Sequence, residues 1–391
     1  MESNSLQEWT TIRNDIITTM KRAIPMHKGR RPEIGRGGTD YSWHYTKEHY
    51  WTEAFWPGQL WLAFDDTKDA LFLQAAQEHT PAFQELLETP RWLHHDVGFL
   101  FLMSSVTDYQ ATGSKEAKHR ALRAADSLRG RFQWHGGYIQ AWNPKPNNPE
   151  WNKVAVGKMI IDSMENIQLL YWAARETGEA AYAEIAHEHA LTMQKHIIRE
   201  DGSTYHCFDF DPVTGEPVGG STHQGYSNES CWSRGQAWAV HGFAQTYINT
   251  KEASFLESAC SLSDYVIDAI SDDMVPIWDF QCPQEGPQVK DSSAGAILSA
   301  GMLSLGSILQ GLQDPRATTY TQAGLAMLRG LRKECDITGV EGSLGLLNQG
   351  ASHAKKGGHW SSAMLSYGDY YYYEAVLRAL GKEDFIWTAG L

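Results

Sequence analysis

A short junction recurs along this chain, where an aromatic or apolar helix end runs into a polar turn and then into a second helical pattern. It occurs six times, with turns near Thr67, Thr112, Thr177, Thr250, Asp314 and Gly381, which are 45, 65, 73, 64 and 67 residues apart. Such a period suits a helical hairpin plus one longer connection. We therefore predict an all-α fold, an (α/α)6 barrel of six helical hairpins that forms a single domain over residues 1–391. An open α-solenoid is the alternative.

The connections on the opposite side of the hairpins are longer and rich in Pro, Gly, Asn and aromatic residues. They cover residues 136–157, 201–229 and 342–359, and the segment DPVTGEPV in the second of them predicts a small β-hairpin. Long loops gathered at one end of a rigid scaffold usually carry the function. We therefore expect the site at this rim.

Polar residues open the first helix of several hairpins, and a barrel would bring these helix starts to one mouth. Asp162 follows Asp96 by 66 residues, and Asp291 follows Asp162 by 129, close to two repeats. Asp is a favoured N-cap, and Asp162 with Glu165 matches a capping box, so capping is one interpretation of each carboxyl. We keep it for Asp291. The aromatic surroundings of Asp96 and the equivalent position of Asp162 favour a carboxylate pair for acid/base chemistry.

Composition excludes several classes of partner and cofactor. A formal net charge of -14 argues against nucleic acid and against an acidic membrane surface. We see no apolar run near the roughly 18 residues that span a bilayer, and no signal peptide, so we expect a cytoplasmic protein. The five cysteines are odd in number and lack a CxxC pattern. His187 and His189 lie outside any HExxH pattern, so we expect neither a metal nor a cofactor.

Segments along almost the whole chain resemble the unsaturated glucuronyl hydrolases of glycoside hydrolase family 88. They are WTEAFWPGQLWLAF (51–64), HHDVGFLF (94–101), IIDSMENIQLLYWAA (160–174), STHQGYSNESCWSRGQAW (221–238), DSSAGAI (291–297) and SYGDYYYYEAV (366–376). The resemblance implies an (α/α)6 barrel and an unusual reaction. Polysaccharide lyases leave a C4=C5 double bond in a terminal uronic acid, and these enzymes add a proton to C4 and water to C5. The resulting hemiketal opens and releases the rest of the sugar chain.

The same resemblance assigns roles to individual residues. It implies that Asp162 is the general acid/base and that Asp96 is a second essential carboxylate. Positions that match the family's substrate pocket are His95, His206, Gln224, Trp232, Arg234, Trp238 and Trp51. Trp56 competes with Trp51 for that role. Arg234 could pair with the uronate carboxylate despite the acidic composition, or it could form a salt bridge within the barrel.

The late loop ASHAKKGGHW departs from the pattern of family members that prefer sulfated chondroitin-type disaccharides. Ser352, Lys355 and Lys356 could contact a sulfate, but their spacing differs from that pattern, so sulfate preference stays open.

The sequence thus predicts an unsaturated glucuronyl hydrolase, monomer or homodimer, that acts on unsaturated uronic-acid oligosaccharides, chiefly disaccharides. An unsaturated rhamnogalacturonyl hydrolase of the sister family is the nearest alternative, and the His95–Asp96 pair favours the first. A sugar isomerase and a non-catalytic oligosaccharide-binding protein are alternatives from other classes.

Overall fold

The computed structural model describes residues 2–37, 40–283, 288–356 and 360–389, and helices dominate them. The helices are α1 (Glu2–His27), α2 (Phe55–Thr67), α3 (Ala70–Gln77), α4 (Thr80–Leu87), α5 (Val97–Phe101), α6 (Thr107–Thr112), α7 (Lys115–Arg129), α8 (Pro149–Ala155), α9 (Ser163–Asn166), α10 (Gln168–Thr177), α11 (Ala180–Ile197), α12 (Ser233–Thr250), α13 (Ala253–Ala269), α14 (Ser292–Gly311), α15 (Ala317–Glu334) and α16 (Ser366–Ala379). A π-helical turn, Leu102–Val106, joins α5 to α6. The predicted predominance of helix is confirmed.

The described residues also form eight short strands in three small sheets. The strands are β1 (Arg31–Arg36), β2 (Trp43–Thr46), β3 (Phe132–Gln133), β4 (Tyr138–Ile139), β5 (Lys158–Ile160), β6 (Cys207–Phe210), β7 (Pro217–Ser221) and β8 (Ala363–Leu365), in the orders β2-β1-β8, β3-β4 and β5-β6-β7. The antiparallel pair β6–β7 encloses DPVTGEPV, so the predicted β-hairpin is confirmed. Most of these strands belong to the long connections that lead into the first helix of a helical hairpin.

Five of the six predicted hairpin turns are confirmed. They join α2 to α3, α6 to α7, α10 to α11, α12 to α13 and α14 to α15, and the two helices of each pair contact each other. Helix α2 contacts α6, α5 contacts α10, α10 contacts α12 and α12 contacts α14. In turn, α14 contacts α16, which contacts α2. Every residue of α12 from Ser233 to Tyr247 is buried, as expected for a helix with neighbours on all sides.

The sixth predicted hairpin, at Gly381, is wrong. In the part of the chain that the structure describes after α16, residues 380–389, the only helical element is a 3-10 turn, Ile386–Thr388, whose Trp387 is fully buried. Besides α14 and α2, helix α1 from an early part of the chain packs against α16, and α1 buries Trp9, Ile12 and Ile16. A pattern of helix, turn and apolar residues could not reveal that this partner precedes α16 by more than three hundred residues.

The expectation that no segment is long and apolar enough to span a membrane is also wrong. Helix α14 passes that test by length and composition, with a mean hydropathy of 1.5 over its best window. However, 89% of that window is buried inside the protein. This is the burial of a core helix, so α14 is weak evidence for a membrane span.

One capping arrangement ends four of the helices. A threonine hydroxyl donates to the carbonyl four residues earlier and accepts the N–H two residues later, at Thr67, Thr112, Thr177 and Thr250. The residue between is in the left-handed region in each case: Lys68, Gly113, Gly178 and Lys251. The shared cap explains why the turns look alike in sequence.

We expect Gly178→Ala to lower the free energy of unfolding by about 1 kcal/mol, because φ is +75° there and a Cβ strains a left-handed backbone. No atom lies within 4 Å of the added Cβ, so the cost is conformational. Gly311→Ala is the matched control, since it has equal space but no positive φ. Urea denaturation measures both. Equal effects of the two substitutions would contradict the capping argument.

Candidate active site

The first turns of α5 and α9 carry the two predicted carboxylates. Asp96 and Asp162 occupy the N-cap positions of these helices, yet neither side chain makes a capping hydrogen bond. Asp291 differs, because its Oδ1 accepts from the backbone N–H groups of Ser293 (3.1 Å) and Ala294 (3.4 Å). The predicted cap at Asp291 is confirmed, whereas the capping interpretation of Asp96 and Asp162 is wrong.

Asn166 ties the two helix starts together. Its Nδ2 donates to Oδ1 of Asp96 (3.2 Å) and to the carbonyl of Asp162 (3.1 Å), while its Oδ1 accepts from the N–H of Phe99 (2.8 Å). The contact requires α5 and α9 to approach closely, and a Cβ on Gly98 would overlap the backbone of Asn166. Sequence reasoning missed Asn166. The available signal was its place one helical turn after Asp162.

The two carboxyls have opposite electrostatic surroundings. Burial disfavours the charge of Asp96, but His95, His94 and Asn166 outweigh it and hold the pKa of Asp96 below its usual range. The Nδ1 of His94 and the Nε2 of His95 lie 3.2 and 3.5 Å from Oδ2 of Asp96. Both rings thus border this oxygen of Asp96, but burial lowers the pKa of His95 to about 4, so that ring is neutral near pH 7.

Burial raises the pKa of Asp162 well above its usual range, and the charge of Asp96 adds to this effect. Oδ1 of Asp162 is buried and has no hydrogen-bond partner, which is costly for a charged oxygen and tolerable for a neutral carboxyl. Of the two carboxyls, Asp162 is thus the one whose surroundings favour the protonated form, and Asp96 the one whose surroundings favour the ionised form. Carboxyls with pKa values pushed apart in this way suit different acid/base roles.

The surroundings of His206 favour a neutral imidazole that can donate a hydrogen bond from Nε2. Its Nδ1 accepts from the backbone N–H groups of His223 (3.1 Å) and Gln224 (3.2 Å), which leaves the hydrogen on Nε2. Burial first, and then nearby positive groups, lower the pKa of His206 well below its usual value. Its ring lies 4.4 Å from that of Trp232 between centroids.

Arg234 forms the intramolecular salt bridge that was its alternative role. It is 1% exposed, and its Nη1 donates to Oδ2 of Asp291 and to the carbonyl of Ala351 (2.7 Å). Its Nη2 and the Nε2 of Gln224 both donate to the carbonyl of Ser352, at 3.0 and 2.9 Å. Arg234 and Gln224 therefore anchor the late loop. Much of the guanidinium charge is balanced by Asp291, so pairing with a uronate carboxylate stays a prediction.

The predicted tryptophans have different surroundings. Trp51 is partly exposed and packs 4.9 Å from Tyr367, whereas Trp56 is buried against His27, so Trp51 is the better candidate of the two. Trp232 lies 4.4 Å from the Arg234 guanidinium. Trp238 is 1% exposed and packs on Phe99 and Tyr371, as a core residue does.

Only one of the three late-loop residues predicted to bind a sulfate contacts the residues described above. The carbonyl of Ser352 accepts a hydrogen bond from Arg234. In contrast, Lys355 is exposed on the 3-10 turn Ala354–Lys356, and the side chain of Lys356 lies outside the described residues.

Trp142 was not predicted as a site residue, and its ring centroid lies 5.2 Å from that of His223, the neighbour of Gln224. The sequence feature that could have indicated Trp142 is its place as an aromatic residue within the first long connection, residues 136–157.

A sequence profile described as Glycosyl Hydrolase Family 88 matches residues 19–385. An unsaturated glucuronyl hydrolase of Bacillus sp. strain GL1 is 34% identical over 95% of this chain and 96% of its own. Its crystal structure matches with a TM-score of 0.88 over the same shares of the two chains. An unsaturated chondroitin disaccharide hydrolase of Streptococcus pyogenes serotype M1 is 38% identical over 84% of this chain and 80% of its own. A variant unsaturated glucuronyl hydrolase of Streptococcus agalactiae, solved with dGlcA-GalNAc6S, is 28% identical, with a TM-score of 0.79 over 95% and 91% of the chains.

We expect Asp96→Asn to lower the pKa of Asp162, because the substitution removes the negative charge that disfavours ionisation of Asp162. Carbon-13 NMR titration of the aspartate carboxyls in the ligand-free protein measures this shift. Asp369 is the internal control, since burial raises its pKa to about 8 without a contribution from Asp96. An unchanged Asp162 titration would contradict the coupling.

Proposed function

This chain belongs to glycosyl hydrolase family 88, and from that membership we propose that it is an unsaturated glucuronyl hydrolase. It hydrates the C4=C5 double bond of the terminal unsaturated uronic acid in lyase-generated oligosaccharides. The observation that carries this function is the split of the carboxyl pair. A protonated Asp162 beside an ionised Asp96 provides the acid that an electron-rich vinyl ether requires.

The reaction follows from that protonation state. Asp162 donates its proton to C4, and the positive charge that develops at C5 is shared with the ring oxygen. Water then adds to C5 and returns a proton to the Asp162 carboxylate. Asp96 stays ionised, and its charge keeps Asp162 protonated for the next cycle.

The remaining steps need no further protein group. The C5 hemiketal loses its bond to the ring oxygen and becomes a ketone, and C1 is then a hemiacetal. Breakdown of the hemiacetal releases the remaining sugar as an alcohol and leaves an aldehyde at C1. The products are one shorter saccharide and one keto acid, with water as the only co-substrate.

Substrate contacts are proposed for residues around the pair. The Nε2–H of His206 suits a hydroxyl or carboxylate oxygen, and Trp232 offers aromatic surface beside it. Trp51, beside Tyr367, is a second aromatic candidate. The structure in which the Streptococcus agalactiae enzyme binds dGlcA-GalNAc6S supports a disaccharide ligand. Ser352 and Lys355 stay candidates for a sulfate.

A panel of unsaturated chondroitin, heparin, gellan-type and rhamnogalacturonan disaccharides tests the substrate class. We expect loss of the double-bond ultraviolet absorbance with the glucuronyl substrates. Activity confined to the pectic disaccharide would favour the rhamnogalacturonyl alternative. Mass spectrometry separates an isomerase, which would leave the glycosidic linkage intact.

We expect Asp162→Asn to reduce turnover about 100-fold or more, because the substitution removes the group that transfers the proton. Steady-state loss of absorbance measures it. Asp272→Asn, at an exposed position between α13 and α14, is the matched control and should retain normal turnover. Full activity of Asp162→Asn would exclude this mechanism and favour the binding-protein alternative.

We also propose that the helix pairs close into an (α/α)6 barrel, with α1 as the outer partner of α16. The succession of contacts from α2 to α16, and from α16 to α2, supports closure. A crystal structure with a gap between α16 and α2 would refute it. The match to the Bacillus sp. GL1 structure is consistent with this architecture.

A cytoplasmic location and a monomeric or homodimeric state complete the proposal. The five cysteines are buried and none forms a disulfide within the described residues, which suits a reducing compartment. Cell fractionation and sedimentation velocity test these two points. Secretion, or a stable assembly larger than a dimer, would contradict them.

A further inference from the structure

A fully buried network of charged side chains lies between helices α9, α12 and α16. His241 of α12 contacts Glu165 of α9 through Nδ1 (2.7 Å) and Glu374 of α16 through Nε2 (3.2 Å). All three side chains are 0% exposed. Arg378 donates to the same oxygen of Glu374 (2.7 Å), and Trp387 Nε1 donates to the other (2.8 Å). Both nitrogens of His241 thus face carboxylates, which suits an imidazolium, because that form donates from both.

This network is attached to the turn that carries the proton donor. Glu165 is the third residue after Asp162 and the neighbour of Asn166, in a helix of only four residues. So short a helix has few intrahelical hydrogen bonds to fix it. The contacts of Glu165 with His241 and with the hydroxyl of Tyr371 (3.4 Å) therefore hold the α9 turn against α12 and α16.

The charge of Glu165 depends on His241. Burial raises the pKa of Glu165, while the charge and hydrogen bond of His241 oppose that effect. Burial also disfavours the imidazolium, but Glu165 and Glu374 outweigh it and raise the pKa of His241 to about 9. Ionised Glu165 is in turn one of the charges that raise the pKa of Asp162.

We propose that His241 is a positioning residue for the hydration reaction: as an imidazolium it keeps Glu165 ionised and in place, and so fixes both the orientation and the protonation of Asp162. This inference rests on the proposed function. His241 does not touch the reacting atoms, since it is buried among aromatic rings, with Tyr371 and Trp387 each 5.2 Å away between centroids.

The other charged or titratable groups around the network are consistent with this role. Glu374 lies between His241 and Arg378, and its pKa is lowered to about 2: burial opposes the shift, but Arg378 and His241 outweigh it. Tyr370 and Tyr371 stay neutral, because burial raises the pKa of each phenol well above its usual value. Neither phenol can therefore replace the charge of Glu165.

His241→Gln and Glu165→Gln test the inference by steady-state kinetics over a range of pH. Each substitution removes the negative charge of Glu165. Glu165→Gln does so directly, and His241→Gln does so because buried Glu165 takes up a proton once its positive partner is lost. We expect kcat to fall about tenfold or more with KM changed less than twofold. The alkaline limb of the pH profile, which reports loss of the Asp162 proton, should move to lower pH in both variants. Glu165→Gln keeps the shape of the side chain and serves if His241→Gln does not fold.

His189→Gln is the matched control. His189 is also fully buried, but it lies on α11 and accepts only a backbone hydrogen bond, from the N–H of Ile139 (3.0 Å). Its substitution tests the loss of a buried histidine without touching the network. We expect no shift of the alkaline limb.

An activity-independent readout is nitrogen-15 NMR of the histidine rings in the ligand-free protein at pH 7.5. We expect His241 to carry hydrogen on both nitrogens. A neutral His241, or variants with unchanged kcat and pH profile, would overturn the inference. Wild-type protein that consumes none of the unsaturated disaccharides would instead overturn the proposed function, so the two failures are distinguishable.

Discussion

The close approach of α5 and α9 is the constraint on which the site depends. Asn166 can bridge Asp96 and the backbone of Asp162 only because Gly98 leaves room for it. The approach also brings two carboxyls near enough to influence each other, and their surroundings shift the two pKa values in opposite directions. A glycine without a side chain thus underlies this carboxyl pair, since distance decides how strongly two charges interact.

Much of the architecture was predictable because it repeats. The Thr-X-polar turn appears four times with the same hydrogen bonds, so local chemistry and repeat spacing indicate the same helix ends. The positions of Asp96 and Asp162 followed from that spacing. The hairpin at Gly381 failed because its expected helix is replaced by α1, a partner that local patterns do not encode.

The details of the site depended on contacts between distant segments. The salt bridge of Arg234 involves Asp291, 57 residues later, and the residue pattern allowed this pairing and a substrate carboxylate equally. Burial separates the tryptophans: Trp238 is packed among core residues, while Trp51 keeps some exposure, and a substrate contact of either stays a prediction. The order of the two aspartate pKa values required knowledge of which histidines face which carboxyl.

The packing of α1 on α16 has a consequence for how the chain is made. A ribosome completes α1 more than three hundred residues before α16, so the apolar face formed by Trp9, Ile12 and Ile16 lacks this partner while the residues between them are synthesised. Contacts between such distant segments form late and slowly. Helix α1 is therefore a segment of the nascent chain that would need protection by a chaperone.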